Sequence, residues 1–168
     1  HALAVGGVAL AGHSLDDFEP VDTPSAAALA QLTLSPQGGL CGCVLRFDVP
    51  LPLMPLMGGG GEITATLQVH LDLGAPTAHS LAHERLSLAL AWTSASAGHQ
   101  RIAAQDNGGW FETGLLDLQA QLHALPHPMN IKACINCQYS DYSPYGNGLF
   151  GTMLCFRNIP GEYSQVND

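Results

Sequence analysis

Three of the five cysteines lie within one short stretch, CINCQYSDYSPYGNGLFGTMLCF. Cys134 and Cys137 are separated by two residues, Cys155 follows near the end of the stretch, and Cys41 and Cys43 lie far upstream. A C-x2-C pair can supply two thiolates from one turn, as structural zinc requires, and Cys155 and Cys43 could complete a set of four ligands. Two other interpretations stay open: reduced thiols that pack as small hydrophobic groups, and disulfide or redox chemistry.

Any role in which Cys134 and Cys137 act together requires a particular backbone conformation between them. A strictly extended chain would send these two side chains to opposite faces, so a turn would have to interrupt the strand for both thiols to meet one ligand. His123 could serve a cysteine nucleophile only if the fold brought the two residues together. The sequence contains neither a phosphate-binding glycine loop nor a nucleophile elbow.

The loop between the cysteines is rich in tyrosine and in turn-forming residues. Tyr139, Tyr142 and Tyr145 recur at every third position, and Asp141 can close an Asx-turn. The dipeptide Asn147-Gly148 suits a tight hairpin turn. Amphipathic rings on a stiff loop make a recognition surface at low entropic cost, so these tyrosines and Asp141 form the predicted binding surface. The alternative is that the rings lie flat and fill the edge of the core.

The elements that must position these residues are mostly strands. Glu62–Leu73 alternates apolar and polar residues without a break, which predicts a strand with one buried and one exposed face. Residues 45–53 and 86–92 repeat the pattern, with Pro50 and Pro52 expected on an edge. These segments predict an antiparallel meander with one face in water.

Residues 111–122 change to a helical period, with Leu115, Leu118 and Leu122 on one stripe. The stripe should cover the buried face of the sheet. The segments MNIKACINC and GTMLCFR read as strands that flank the tyrosine loop, and weaker strands are predicted at 5–10, 32–34 and 100–104. The fold class is therefore α+β: a mainly antiparallel sheet or small sandwich with one amphipathic helix packed on it.

Composition and charge narrow the classes of partner. The chain has 168 residues, of which 46% are hydrophobic and only 11% charged, with a net charge of −9. Such a charge disfavours binding to nucleic acid and to acidic membranes, and would attract a basic protein partner. The low content of charged residues favours a surface that is covered by a protein partner or by self-association. The odd number of cysteines is typical of a reduced, cytoplasmic protein. The length fits a single domain over residues 1–168, and the start without Met suggests trimming.

The cysteine and tyrosine block also resembles the C-terminal block of an uncharacterised bacterial family of unknown function. The resemblance is carried by C-x2-C-x-YSDYSPYGNG-x-FG-x-M-x-CFR, and it extends to the strand 45–52 and the helix 115–122. It implies relatedness without a reaction, and it implies that further residues follow Asp168.

The residues favour a non-enzymatic binding or accessory module, of which an immunity-type protein is one version, and a structural zinc is its one candidate cofactor. One alternative is a thiol-based enzyme or redox protein that uses Cys134, Cys137 or Cys155. A structural subunit of a larger assembly is another, suggested by the low content of charge.

Overall fold

The computed structural model describes residues 2–12, 19–36, 38–57, 60–76, 85–94, 98–105, 111–142 and 153–163. Within these ranges 50% of the residues belong to β-strands and 19% to helices, which confirms the α+β prediction. The strands are β1 Ala2–Val5, β2 Val8–Ala11, β3 Glu19–Pro20, β4 Thr33–Leu34, β5 Leu40–Cys41, β6 Cys43–Pro55, β7 Ile63–Leu73, β8 Arg85–Ser94, β9 Gly98–Ala103, β10 Met129–Ile131, β11 Ser140–Tyr142 and β12 Met153–Cys155. The helices are α1 Ala26–Leu29, α2 Phe111–His123 and α3 Pro160–Tyr163, and a 3-10 turn spans Cys134–Asn136.

The largest sheet has five strands in the order β10-β6-β7-β8-β9. Its four long strands are neighbours in chain order, as the predicted meander requires. At one edge β10 pairs antiparallel with the end of β6, Met129 opposite Pro55 and Ile131 opposite Leu53. Pro52, which has no N–H to donate, continues this edge by accepting a bond from the Lys132 N–H at 2.8 Å.

The chain forms two compact units, His1–Arg46 with His70–Leu86, and Phe47–Val69 with Ser87–Asp168. In the first unit, Leu45, Leu71 and Leu73 form a buried cluster. The partly buried side chains packed against this cluster are Val5, Leu40, Cys43 and Leu86. Cys41 is fully buried here, and its Sγ donates to the Thr33 carbonyl at 3.4 Å. This unit therefore uses its two cysteines as small apolar side chains.

Strand β7 confirms the alternation. Ala65, Leu67, Val69, Leu71 and Leu73 are buried, Ile63 is half-buried, and Thr64, His70 and Asp72 are exposed. Strand β8 departs from it, because Ala89 and Ala91 are buried on the face expected to be wet. Ala91 lies opposite Arg101 of β9, and the Arg101 Nε donates to Gln68 of β7 at 3.2 Å. That bond joins the two strands that flank β8.

Helix α2 packs on the sheet of the second unit through the predicted stripe. Leu115, Leu118 and Leu122 are buried, the last two completely. At Gly114 an added Cβ would lie 2.7 Å from Leu88 Cδ1, so the glycine lets the helix backbone approach β8 closely. Gln119 is the buried polar residue of this stripe.

Two sequence-based strand predictions are wrong in part. Residues 5–10 are not one strand, because Gly6 and Gly7 adopt positive φ angles of 55° and 80° and turn the chain between β1 and β2. Those angles suit the tight hairpin turns that glycine favours. The strand predicted for MNIKACINC ends at Ile131, and the cysteine pair lies in the 3-10 turn instead.

Candidate functional site

Three of the four predicted zinc ligands lie on neighbouring elements of the second unit. Cys134 and Cys137 lie at the ends of the 3-10 turn, and Cys155 ends strand β12. Antiparallel pairing of β11 with β12 places Cys155 opposite Ser140, and the Phe156 N–H donates to the Tyr139 carbonyl at 2.7 Å. All three cysteines line one open cleft of about 730 Å³ in the second unit.

Hydrogen bonds close the turn that carries Cys134 and Cys137. The Cys137 N–H donates to the Cys134 carbonyl at 2.8 Å, and the Asn136 N–H donates to the Ala133 carbonyl at 3.1 Å. The Ser140 hydroxyl lies against the Cys134 carbonyl and reaches the Cys137 carbonyl at 2.9 Å. The turn thus supplies the interruption that an extended segment lacked, and both cysteines line the same cleft.

Gln119 of α2 fixes the turn to the helix. Its Nε2 donates to the Met129 carbonyl at 3.0 Å, and its Oε1 accepts from the Ile131 N–H at 2.8 Å. The same Oε1 accepts from Asn136 Nδ2, inside the turn, at 3.0 Å. A single buried side chain therefore ties together the helix, strand β10 and the cysteine turn.

A second polar contact joins the helix end to β10. Asn130 Oδ1 accepts from Gln119 Nε2 at 3.2 Å and lies 2.6 Å from His123 Nε2. Because an amide oxygen only accepts, the His123 Nε2 must carry the hydrogen in this contact. His123 lines the cysteine cleft, so the fold does bring this histidine and the thiols to one place.

The Cys137 sulfur lies among polar groups. Its pKa is lowered, first by a hydrogen bond from the Tyr139 backbone N–H and then by Arg157 and by Ser140. The Arg157 Nη2 lies 4.0 Å from the sulfur. Hydrogen bonds and a nearby cation stabilise the thiolate, the form that acts as a nucleophile or a metal ligand.

The cleft is cationic although the protein is acidic. It contains Lys132 and Arg157, which are two of the five Lys and Arg residues of the chain. Among the described residues that line it there is no Asp or Glu. Lys132 pairs with Glu62 at 2.8 Å, but both side chains are well exposed. Such a surface pair is weak and can exchange for another anion.

Cys43, the fourth predicted ligand, belongs to the first unit, where it packs against the leucine cluster. Burial raises the pKa of its thiol, and Cys41 and Asp72 raise it further. Within the described ranges, no group of three or more His, Cys, Asp and Glu side chains is arranged to hold a metal ion. The zinc site stays a prediction from the sequence.

The predicted tyrosine surface falls only partly within the described residues. Tyr139 is half-buried, and Asp141 is exposed and lies opposite Leu154 in the β11–β12 pair. Tyr142 contributes its backbone to the same pair, opposite Met153. Tyr145 lies outside the described residues.

Sequence reasoning missed the residues that support the cysteines: Gln119, Asn130, Asn136 and Arg157. Gln119 gave a usable signal, because it is the polar member of an otherwise apolar helical stripe. Arg157 gave none in its spacing, since its approach to Cys137 depends on strand pairing between residues far apart in sequence.

Comparisons with known proteins give a family without an assigned activity. A search of curated proteins and a search of solved structures each found no match. No helix among the described residues is long and apolar enough to cross a membrane. A model described as "Family of unknown function (DUF6304)" matches residues 2–140, a span that includes Cys134 and Cys137 and ends before Cys155. The chain therefore belongs to this family of unknown function, DUF6304.

Proposed function

We propose that this protein carries out thiol–disulfide exchange, with Cys137 as the attacking sulfur and Cys134 as its partner. The observation that carries the proposal is the hydrogen-bonded turn, which holds both cysteines at the wall of one open cleft. Arg157 beside Cys137 supports the assignment of the attacking sulfur, since a cation stabilises the thiolate there.

The turn brings the two cysteines within reach of a disulfide. Residues joined by an N–H to carbonyl bond across three positions have Cα atoms less than about 7 Å apart. A disulfide requires a Cα separation of about 4.4–6.8 Å. The bond from the Cys137 N–H to the Cys134 carbonyl therefore keeps the Cα atoms of the two cysteines within the range that a disulfide allows.

The exchange balances without a cofactor when the substrate is itself a disulfide. The Cys137 thiolate attacks one substrate sulfur, forms a mixed disulfide and releases the other half as a thiolate. Cys134, after losing its proton, then attacks the Cys137 sulfur and releases the second half as a thiol. Two electrons pass from the protein dithiol to the substrate, and the protein keeps a Cys134–Cys137 disulfide.

The other functional hypotheses rest on less of the described structure. The binding-module hypothesis depends on Tyr139, Asp141, Tyr142 and Tyr145, and Tyr145 lies outside the described residues. The free state of all five cysteines is compatible with a reducing, cytoplasmic location, which we also propose.

Trapping the mixed disulfide tests this function. The reduced full-length protein is mixed with oxidised glutathione, the reaction is quenched by alkylation, and peptides are mapped by mass spectrometry. We expect a Cys134–Cys137 disulfide in the unaltered chain and a lasting mixed disulfide on Cys137 in Cys134→Ser.

Cys155→Ser is the matched control, because it removes another thiol of the same cleft. This variant should still form the internal disulfide at the rate of the unaltered chain. The proposal fails if Cys137 reacts no faster than a small model thiol, or if no disulfide joins Cys134 to Cys137.

A further inference from the structure

We infer that the substrate of this cleft is a low-molecular-weight disulfide that bears carboxylates, and that Arg157 binds a carboxylate of the mixed disulfide. The inference rests on the proposed exchange at Cys137 and adds the class of substrate. It follows from the charge of the cleft, the position of Arg157 and the volume available.

The charge of the Cys137 sulfur changes during the reaction. Before attack, the Arg157 guanidinium lies beside a sulfur that it stabilises as a thiolate. Once the mixed disulfide forms, that sulfur is neutral and the guanidinium has lost this counter-ion. A carboxylate on the attached half can take the place of the thiolate, and a guanidinium presents several N–H donors to it.

The charged side chains that line the cleft are basic. Lys132 adds a second cation, and its partner Glu62 is exposed and exchangeable. No acidic side chain is found among the described lining residues. A cationic disulfide would be repelled by Arg157 and would meet a Lys132 that is already paired, whereas an anionic one can replace the contacts that Lys132 and Arg157 already make.

The volume of the cleft suits a small ligand. The cleft measures about 730 Å³. Small-molecule sites range over about 300–1,000 Å³, so a peptide-sized thiol fits this space.

The test compares disulfides of different charge on one protein. The Cys134→Ser/Cys155→Ser double variant keeps the mixed disulfide on Cys137, and peptide mapping reads its rate of formation. The probes are oxidised glutathione, which is anionic, neutral 2-hydroxyethyl disulfide and cationic cystamine. Each rate is divided by the rate of the same probe with 2-mercaptoethanol, which removes the intrinsic reactivity of the probe.

The decisive quantity is the ratio of the normalised anionic rate to the normalised neutral rate. Arg157→Gln, added to the double variant, should lower this ratio about two- to five-fold, the effect of one exposed ion pair. Arg101→Gln removes the same charge from β9, where Arg101 bonds Gln68 away from the cleft, and should leave the ratio unchanged. Any effect of Arg157 on the nucleophilicity of the sulfur changes both rates equally and so cancels in the ratio. Any effect of net charge appears in Arg101→Gln as well, so that variant controls for it.

Equal loss of both rates in Arg157→Gln would overturn the inference, since Arg157 would then act on the thiol alone. A cystamine rate as high as the glutathione rate would overturn it as well. In both cases accelerated exchange at Cys137 would persist, so the proposed function would survive. If no probe reacted faster with Cys137 than with the model thiol, the proposed function itself would fail.

Discussion

At the scale of single residues, the five cysteines differ because their neighbours differ. Cys41 is fully buried and bonds a carbonyl, and Cys43 packs against leucines with a raised pKa. Cys137 lies beside a backbone N–H and a guanidinium that lower its pKa. The same side chain is thus a packing group in one unit and a candidate nucleophile in the other.

Removing the Arg157 charge should raise the pKa of Cys137. In Arg157→Gln the thiolate loses a stabilising cation, so alkylation of Cys137 by iodoacetamide should rise with pH at a higher pH than in the unaltered chain. Because the pKa of Cys137 is lowered, its thiolate should persist to lower pH than that of Cys43. Peptide-resolved alkylation between pH 5 and 10 measures both profiles.

The matched control for that titration is Arg101→Gln, which changes net charge equally. The other titratable groups of the cleft are His123, Lys132, Cys134 and Cys155, and Tyr139 lies beside it. Their contribution is common to both variants. An unshifted Cys137 profile in Arg157→Gln would contradict the assigned role of the guanidinium.

Gln119 should be required for stability and for the geometry of the turn. Gln119→Leu keeps the volume of the side chain but leaves the buried Ile131 N–H without its partner, at a cost of about 1–3 kcal/mol in the free energy of unfolding. Gln121→Leu on the same helix breaks bonds that water can replace, and should cost less. Urea unfolding measures both, and a cost for Gln119→Leu no larger than the control would show that the contact is not tight.

At the scale of elements, the helix depends on the stripe that docks it. Leu118→Ala should lower the free energy of unfolding by about 2–5 kcal/mol, because the leucine is fully buried. Leu116→Ala is the control: the same substitution two residues away, on a side chain that is 58% exposed, should change stability by at most about 0.5 kcal/mol. Thermal and urea unfolding of the pair would contradict the packing if the two variants matched.

The elements could be predicted from sequence where one periodicity continued over many residues. Helix α2 buries the leucine stripe that its period predicted, and β7 buries the side chains that its alternation predicted except Ile63, which is half-buried. The turn at Cys134–Asn136 could not be predicted in the same way, because three residues carry no period and the turn depends on Gln119 and Ser140. The prediction that Ala91 would be exposed failed for a similar reason, because its surroundings depend on other strands. Arg101 of β9 lies opposite Ala91 and bonds Gln68 of β7.

The protein combines an acidic net charge with a cleft, within the described residues, that two basic side chains line. With only five Lys and Arg residues in the chain, the presence of two in one cleft gives that surface a local sign opposite to the net charge of −9. Salt reduces the repulsion between the distant acidic residues and an anionic ligand, since charges interact over about 8 Å at physiological ionic strength. Short-range contacts in the cleft can therefore select an anion that the protein as a whole repels.

A count of reactive thiols tests the whole molecule at once. In the native, reduced protein, Cys134, Cys137 and Cys155 should react rapidly with Ellman's reagent, because they line an open cleft. Cys43 should react slowly, since it is half-buried and its pKa is raised, and Cys41 should react only on unfolding, since it is fully buried. Peptide mapping with a differential alkylating agent assigns each phase to its residue.

A structural zinc would give the opposite order, with the cleft thiols protected until a chelator is added and zinc present in the native mass spectrum. That result would contradict the exchange proposal and restore the metal site predicted from the C-x2-C pair, whereas rapid labelling of Cys41 would contradict the packing of the first unit.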